Sequence, residues 1–263
     1  MISVIIPVYK QKEVFLANLA TNLRFLIDQE IIIVNDDPQT LIRSEVIELF
    51  IKHSWPSSKY QLVEHTENQG FSRSVNDGVS AATSDYVLLL NTDVTLYDQK
   101  WEKSVQYLET HPQTFAVGFA QRERNGALVG RNAIYFKSGL FHHKALSFEE
   151  GGNIMPTAWA EGGSSIFRKS MWRQLHGFDP AYSPFYWEDV DLGYRAQLRG
   201  WLSVFDPTIC VEHHHGGTTT AHFHTDQINS IAYRHQLYFT KKFAKGAQKI
   251  AFHLHRLKRA ISH

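Results

Sequence analysis

Carboxylate and amide residues recur in this chain directly after short apolar runs, and each cluster is equipped for a definite chemistry. EIIIVNDDP at 30–38 sets Asp36 and Asp37 behind an apolar run, where a carboxylate can accept from a pyrimidine imide or a ribose hydroxyl. The same residues also make a good turn before proline. In LLLNTDV, Asn91 and Asp93 stand two apart, so an extended backbone brings both oxygens toward one hard cation, Asp93 being the stronger ligand. An Asp with a purely local hydrogen bond at a strand exit would look the same. NQGFSRSVNDG at 68–78 places a glycine turn before a helix that carries Asn68 at its entry and Arg73 and Asn76 in its first turns. Helix N-terminal amides and a guanidinium suit a phosphate, while simple capping by Asn68 or Ser72 needs no arginine.

GFDPAYSPFYWEDVDLGYR at 177–195 clusters Glu188, Asp189 and Asp191 at a helix start behind Tyr182, Phe185, Tyr186 and Trp187. An apolar enclosure raises a carboxylate pKa and offers rings to a sugar face, both useful beside a general base; acidic residues also stabilise a helix N-terminus through its dipole. VEHHHGGTTT at 211–220 supplies His213, His214 and His215. An imidazole there could join the cation at Asp93, but adjacent strand residues point to opposite faces, so one or two is the ceiling. The helical HExxH spacing is absent, which argues against a zinc hydrolase of that kind.

The elements that must position these residues alternate. Residues 2–9 form a short apolar run, and Leu16, Leu19, Leu23 and Leu26 then fall on one helical stripe. Strand signals recur at 30–38, 60–66, 85–93 and 114–120, separated by helical patterns at 40–53, 71–82 and 101–108. That order predicts a doubly wound, mostly parallel α/β sheet with helices on both faces and ligands beyond the carboxyl ends of the strands. From 121 to 156 the pattern loosens, which reads as loop or mobile hairpin; a helix opening at Glu188 and a strand over 201–213 follow.

Composition bounds the function. Lys plus Arg number 27 against 26 Asp plus Glu, so no global charge excess argues for a nucleic-acid partner. The single cysteine, Cys210, lies in a strand-like TICVEH and reads as a core thiol, which fits a reducing cytosol. The N-terminus lacks a basic region before its apolar run and reaches Pro7 and Lys10 too early for a signal or anchor.

VIIPVY, VNDDP, NQGFSRSVN, LNTD, GGSSIFRK, FYWEDVDLGYR and VEHHHGGTT, in this order over residues 2 to about 220, resemble the family 2 glycosyltransferases, particularly their rhamnosyltransferase-like branch. The resemblance implies a GT-A fold over 1–225, with a nucleotide-binding half at 1–120 and an acceptor and catalytic half at 121–225. It implies nucleotide-sugar contacts from Pro7, Tyr9, Asp36, Asn68, Arg73, Asn91 and Asp93, and Mn²⁺ or Mg²⁺ held by Asp93 with His213 or His214. It further implies an acceptor side at Gly162, Gly163 and Trp187, and Asp189, with Glu188, as the catalytic carboxylates. Two positions depart from the family pattern: Asn35 and Asn91 stand where aspartates are usual. The implied activity is an inverting transfer of a single sugar from a UDP- or dTDP-linked donor to a glycan or lipid-linked acceptor, in surface polysaccharide or glycan synthesis. A nucleotidyltransferase shares the alternation but would need a glycine-rich phosphate loop and lysines for a triphosphate, which are absent. A catalytically silent sugar- or nucleotide-binding module of the same fold would not need Asp93, Glu188 and Asp189 together.

The segment after 225 is a helical basic extension. From 241 it carries Lys241, Lys242, Lys245, Lys249, Arg256, Lys258 and Arg259 with no acidic residue, interleaved with Phe243, Ile250, Phe252, Leu254 and Leu257. This reads as an amphipathic helix suited to an anionic membrane surface, with packing on the domain or a solubilising tail as the alternatives; the implied location is cytoplasmic, peripheral at the inner face of the membrane.

Overall fold

A computed structural model describes residues 1–213 and 222–261. Its first half alternates as expected: β1 (Ser3–Val8), α1 (Lys12–Asn22), β2 (Glu30–Asn35), α2 (Arg43–Lys52), β3 (Tyr60–Glu64), α3 (Phe71–Ala81), β4 (Tyr86–Leu90), β5 (Val94–Leu96), α4 (Glu102–Thr110) and β6 (Thr114–Arg122). β1 runs parallel to both β2 and β4, and β2 parallel to β3. These strands are apolar on both faces because both are covered. Val4, Ile6, Ile31, Ile33, Leu88 and Leu90 meet Phe15, Leu19, Val46, Phe50 and Trp101 of the α1, α2 and α4 layer. The alternate residues Ile5, Ile32, Val34 and Leu89 meet Val75 and Val79 of α3 on the other face.

The second half extends the same sheet. β11 (Ser164–Arg168) lies antiparallel between β4 and β6 and leads directly into α5 (Lys169–Gln174); β12 (Leu202–His213) runs parallel to β6, and β10 (Met155–Thr157) closes that edge. Since β11 reverses direction between two strands that point the same way, the carboxyl ends of β1, β2, β3, β4, β6 and β12 share one edge with the entry to β11. α6 (Glu188–Leu198) starts near that edge, its Asp189 receiving the Gly162 amide at the entry to β11.

The stretch 121–156 is more ordered than the sequence implied. β7 (Leu128–Val129) pairs with β6, and β8 (Asn132–Lys137) pairs with β9 (Leu140–Ala145) in register Asn132 with Ala145. This hairpin escapes periodicity because only part of it is buried: Ile134, Phe136 and Phe141 pack inward while His142, His143 and Lys144 continue the strand. It packs with Trp159, Tyr182, Trp187 and Val190 against Phe239 and Phe243 of α7 (Thr225–Phe243). α8 (Ala247–Ile261) follows, and no helix among the described residues is long and apolar enough to cross a membrane.

Candidate active site

The shared strand edge encloses a cavity of about 290 Å³. Pro7, Val8 and Tyr9 come from the end of β1, Asp36 from β2, and Asn68, Gly70, Phe71 and Ser74 from the entry to α3. Asn91, Thr92 and Asp93 come from β4 and His213 from β12, while Pro184, Phe185, Tyr186, Glu188 and Phe223 form an aromatic wall. A hydrophobic enclosure with a few convergent polar groups is the form a small-molecule site takes.

Asp36 is at the wall, yet its oxygens are largely committed to the fold. Oδ1 accepts the Gln69 amide at 2.7 Å and meets Nδ1 of His65 at 2.7 Å, and Oδ2 accepts the Gly70 amide at 2.8 Å. Asp36 therefore ties the loop before α3 to the sheet. Gly70 is the N-cap there at φ +84, and a Cβ on it would lie 2.6 Å from Oγ of Ser183, so glycine is required for both conformation and space. Asn35 replaces the family's usual aspartate with a turn-maker: Oδ1 accepts the Asp37 amide and Nδ2 donates to the Thr40 carbonyl.

At the opposite end, Asp93 and His213 are arranged by residues that pattern reading had not selected. Gln121, fully buried at the end of β6, donates through Nε2 to Oε2 of Glu161 at 2.7 Å and to Oγ of Ser164 at 2.8 Å. Its Oε1 must then face Nδ1 of His213, at 2.7 Å, and accept from it. His213 so held turns Nε2 toward Oδ1 of Asp93, 3.3 Å away. Two electron-rich atoms at that distance call for a cation between them or a proton on the ring. Asn91 adds an amide oxygen on the same cavity wall, and among the described residues no hydrogen-bond partner reaches that buried Oδ1. The donor set of carboxylate, imidazole and amide fits a divalent ion that a ligand's own oxygens would complete. His214 lies outside the described residues.

The acidic pair at the start of α6 is split by its surroundings. Glu188 lines the cavity and is 6% exposed, with Oε2 unpartnered among the described residues; burial first, and then the charge of Asp189, hold its carboxyl well above the usual range. Asp189 is not part of that wall. Its Oδ2 accepts the Gly162 amide at 3.3 Å and its Oδ1 the Val190 amide at 2.8 Å. Burial and then the nearby Glu161 charge raise it to about 6, against the opposing pull of those amides. Burial thus favours the protonated form of both, most for Glu188, while Asp189, raised only to about 6, is ionised at neutral pH. Tyr186 and Trp187, just before the helix, both take left-handed backbone at φ 74 and 79, a strained conformation for bulky residues that the packing must hold. His235 of α7 supplies part of that hold, its Nδ1 meeting the carbonyls of Phe185 at 3.1 Å and Tyr186 at 3.0 Å.

Three expected contacts are relocated. Arg73 points outward from α3 and is exposed; the helix turns Ser74 and Phe71 to the cavity instead, so the guanidinium is not placed for a phosphate there. Trp187 is 5% exposed and packs against Phe239 and edge-on to His143, so it is core and not an open sugar platform. Phe185 and Tyr186 are the rings that line the cavity. Tyr182 is likewise fully buried, donating to Asp191 at 3.0 Å. Gly162 and Gly163 sit at the entry to β11 as spacers: the Gly163 carbonyl accepts the Asn91 amide, and a Cβ there would lie 2.6 Å from Nδ2 of Asn91.

Comparison with known proteins places this geometry. The profile of the family "Glycosyl transferase family 2" matches residues 3–169. An N-acetylglucosaminyl-diphospho-decaprenol L-rhamnosyltransferase of Mycobacterium tuberculosis is 44% identical over 64 residues, which are 24% of this chain and 20% of that protein. The chain thus matches a fifth of that relative's length. Among solved structures, the mannosyltransferase PcManGT from Pyrobaculum calidifontis in complex with GDP-Man and Mn²⁺ superposes with a TM-score of 0.65 at 15% identity, covering 96% of this chain and 68% of that one. GalNAc-T7 with UDP, GalNAc and Mn²⁺ superposes at 0.64 with 13% identity, covering 81% and 43%. Both likenesses are of fold, and the fold is GT-A.

Proposed function

The chain belongs to glycosyl transferase family 2, and from that premise we propose that it transfers one sugar, with inversion, from a nucleotide-diphosphate donor in the cavity to an acceptor hydroxyl at the Asp189 side. The observation that carries this reading is the convergence at one strand edge of Asp93, with Oδ1 3.3 Å from Nε2 of His213, Asn91, whose buried Oδ1 has no partner among the described residues, and the carboxyl of buried Glu188 with Asp189 next to it. Asp93, His213 and Asn91 would hold a divalent cation, Mn²⁺ or Mg²⁺, which when bound offsets the charge gathering on the leaving diphosphate. The side chains of Asn68, Phe71 and Ser74 and the aromatic wall of Phe185 and Phe223 bind the nucleotide and exclude water from it.

Asp189 takes the proton of the attacking hydroxyl as the oxygen approaches the anomeric carbon opposite the departing diphosphate. One displacement inverts that centre, and no enzyme nucleophile is required. Glu188, whose carboxyl burial biases toward its protonated form, lines the cavity and in that form can donate a hydrogen bond into it. Gln121 acts through His213, fixing which ring nitrogen faces Asp93.

The Mycobacterium relative acts, by its name, on a diphospho-decaprenol substrate and transfers L-rhamnose, which favours a dTDP- or UDP-linked deoxyhexose and a lipid-linked glycan here. That acceptor would present itself at the cytoplasmic face of a membrane, a reducing setting in which Cys210 stays a thiol. Incubation with dTDP-rhamnose or UDP-sugars, Mn²⁺ and polyprenyl-diphosphate acceptors, read by proton NMR of the product, tests the reading. The expected product carries one added sugar of anomeric configuration opposite to the donor's. Retained configuration contradicts the mechanism, pyrophosphate release from a nucleoside triphosphate would mark a nucleotidyltransferase, and nucleotide binding without turnover would mark a silent module.

A further inference from the structure

α8 carries an apolar stripe that the rest of the fold leaves uncovered. Ile250, Leu254 and Leu257 are 65%, 53% and 60% exposed, and at about 100° per residue they fall within one narrow sector of the helix. The opposite sector is the docked one. Phe252 is 3% exposed, a Cβ on Gly139 would lie 2.6 Å from the Ala251 carbonyl, and His255 links Ser138 to Tyr233 through its two ring nitrogens at 3.0 and 3.2 Å. Arg259 lies over the Tyr233 ring with its centroid 4.2 Å away. The helix is therefore fixed to α7 and to the turn of the β8–β9 hairpin, and its bare face is directed away from both.

Cations border the bare stripe. Helical geometry puts Lys258 on one side and Lys249, His253 and Arg256 on the other, all exposed, and no acidic residue occurs from 241 onward. A stripe of large aliphatic side chains flanked by Lys258 on one side and by Lys249 and Arg256 on the other matches an anionic bilayer, whose acyl region takes the apolar face and whose headgroups take the cations. A second copy of this chain fits less well, because an isologous contact through this face would set the Lys249 and Arg256 side of one copy against basic residues of the other.

We propose that α8 is an interfacial membrane helix that seats this chain on an anionic lipid surface through Ile250, Leu254 and Leu257. The seat bears on the acceptor side through the hairpin: α8 rests on its turn at Ser138 and Gly139, and its second strand carries His143 edge-on to Trp159 and Trp187. This orientation rests on the transferase reading, whereas lipid binding itself does not.

Sedimentation of the full chain with phosphatidylglycerol-rich vesicles and with pure phosphatidylcholine vesicles tests the proposal. The expected result is binding to the anionic vesicles, weakened by salt. The triple variant Ile250→Gln, Leu254→Gln and Leu257→Gln should lower partitioning by roughly a hundredfold or more, while its melting temperature and its nucleotide-induced thermal shift stay those of the parent. No sedimentation of the parent with anionic vesicles overturns the proposal. So does a triple variant that binds vesicles as its parent does, or a parent that is dimeric in solution, binds no vesicles and becomes monomeric in the triple variant. Because vesicle binding is read without donor or acceptor, failure of the lipid seat and failure of the transferase reading are told apart.

Discussion

Replacing Asp189 by asparagine separates two consequences of one carboxylate. The amide is nearly isosteric, and its single oxygen can still accept from the Val190 amide at 2.8 Å, while the longer contact from the Gly162 amide at 3.3 Å is lost. The variant loses a negative charge that the fold holds against burial and against Glu161, as the rise of the carboxyl from 3.8 to about 6 records. At about 1.4 kcal/mol for each tenfold change, the ionised state is disfavoured at neutral pH by on the order of 3 kcal/mol. Sharing of that penalty with Glu188 and contact with solvent reduce it, so the variant should gain on the order of 1–2 kcal/mol, or roughly 2–8 °C in Tm. The folded carboxyl binds its proton more tightly than the unfolded one, so the parent's stability falls as pH rises from about 4 to about 6 and is level above. The gain should accordingly be full above about pH 6 and vanish below about pH 4. Turnover should meanwhile fall by about a hundredfold to ten-thousandfold, with nucleotide affinity nearly unchanged. Thermal melts across pH, with initial rates of nucleotide-diphosphate release, measure both. An active variant refutes the base assignment, and a variant that melts lower at neutral pH refutes the claim that the fold pays to keep this charge.

Other consequences follow from the same geometry. Glu161→Gln keeps an acceptor for only one of the two donors Gln121 and Asn132 and removes the charge that helps raise Asp189; the acid limb of the kcat/KM profile, expected near pH 6, should move to lower pH, and an unmoved limb would deny the coupling. Gln121→Leu frees His213 to turn, and the Mn²⁺ concentration needed for nucleotide binding should rise roughly tenfold to a hundredfold, as titration would show. Lys242→Met removes one of the cations on the fully buried Asp191, whose other partners are Arg195 and Tyr182; urea unfolding should report a loss of about 2–4 kcal/mol, and a neutral result would show that Arg195 alone suffices.

The alternation of the first 120 residues was readable because strands buried on both faces are near-continuous apolar runs, and the parallel order then fixes which ends meet. That is why the strand-end residues Asp36, Asn91 and Asp93 were picked out, whereas Pro7 and Tyr9 came only with the family resemblance; together with Asn68, Glu188 and His213 they line one cavity. Arg73 misled because helical phase within one turn decides between cavity and solvent, and the run FSRSVN does not fix that phase. Trp187 misled because an aromatic beside a cluster of carboxylates reads alike as platform or as core. Gln121, Glu161 and His65 were passed over because their roles depend on partners 40 to 92 residues away in sequence for Gln121 and 29 for His65. One signal was available: Gln121 is a polar residue at the exit of an apolar strand, the feature that had marked Asn91. The 121–156 stretch was left between loop and mobile hairpin because the β8–β9 hairpin packs one face only.

The central claim is that this cavity binds a nucleoside diphosphate through a cation held by Asp93 and His213. Thermal shift of the purified chain with UDP, dTDP, GDP and CMP, each in Mn²⁺ and in EDTA, tests it most directly, with Asp93→Ala beside the parent. The account predicts stabilisation by one diphosphate in Mn²⁺ that disappears in EDTA and in Asp93→Ala. Equal stabilisation with and without the metal, or no shift with any nucleotide, would contradict it.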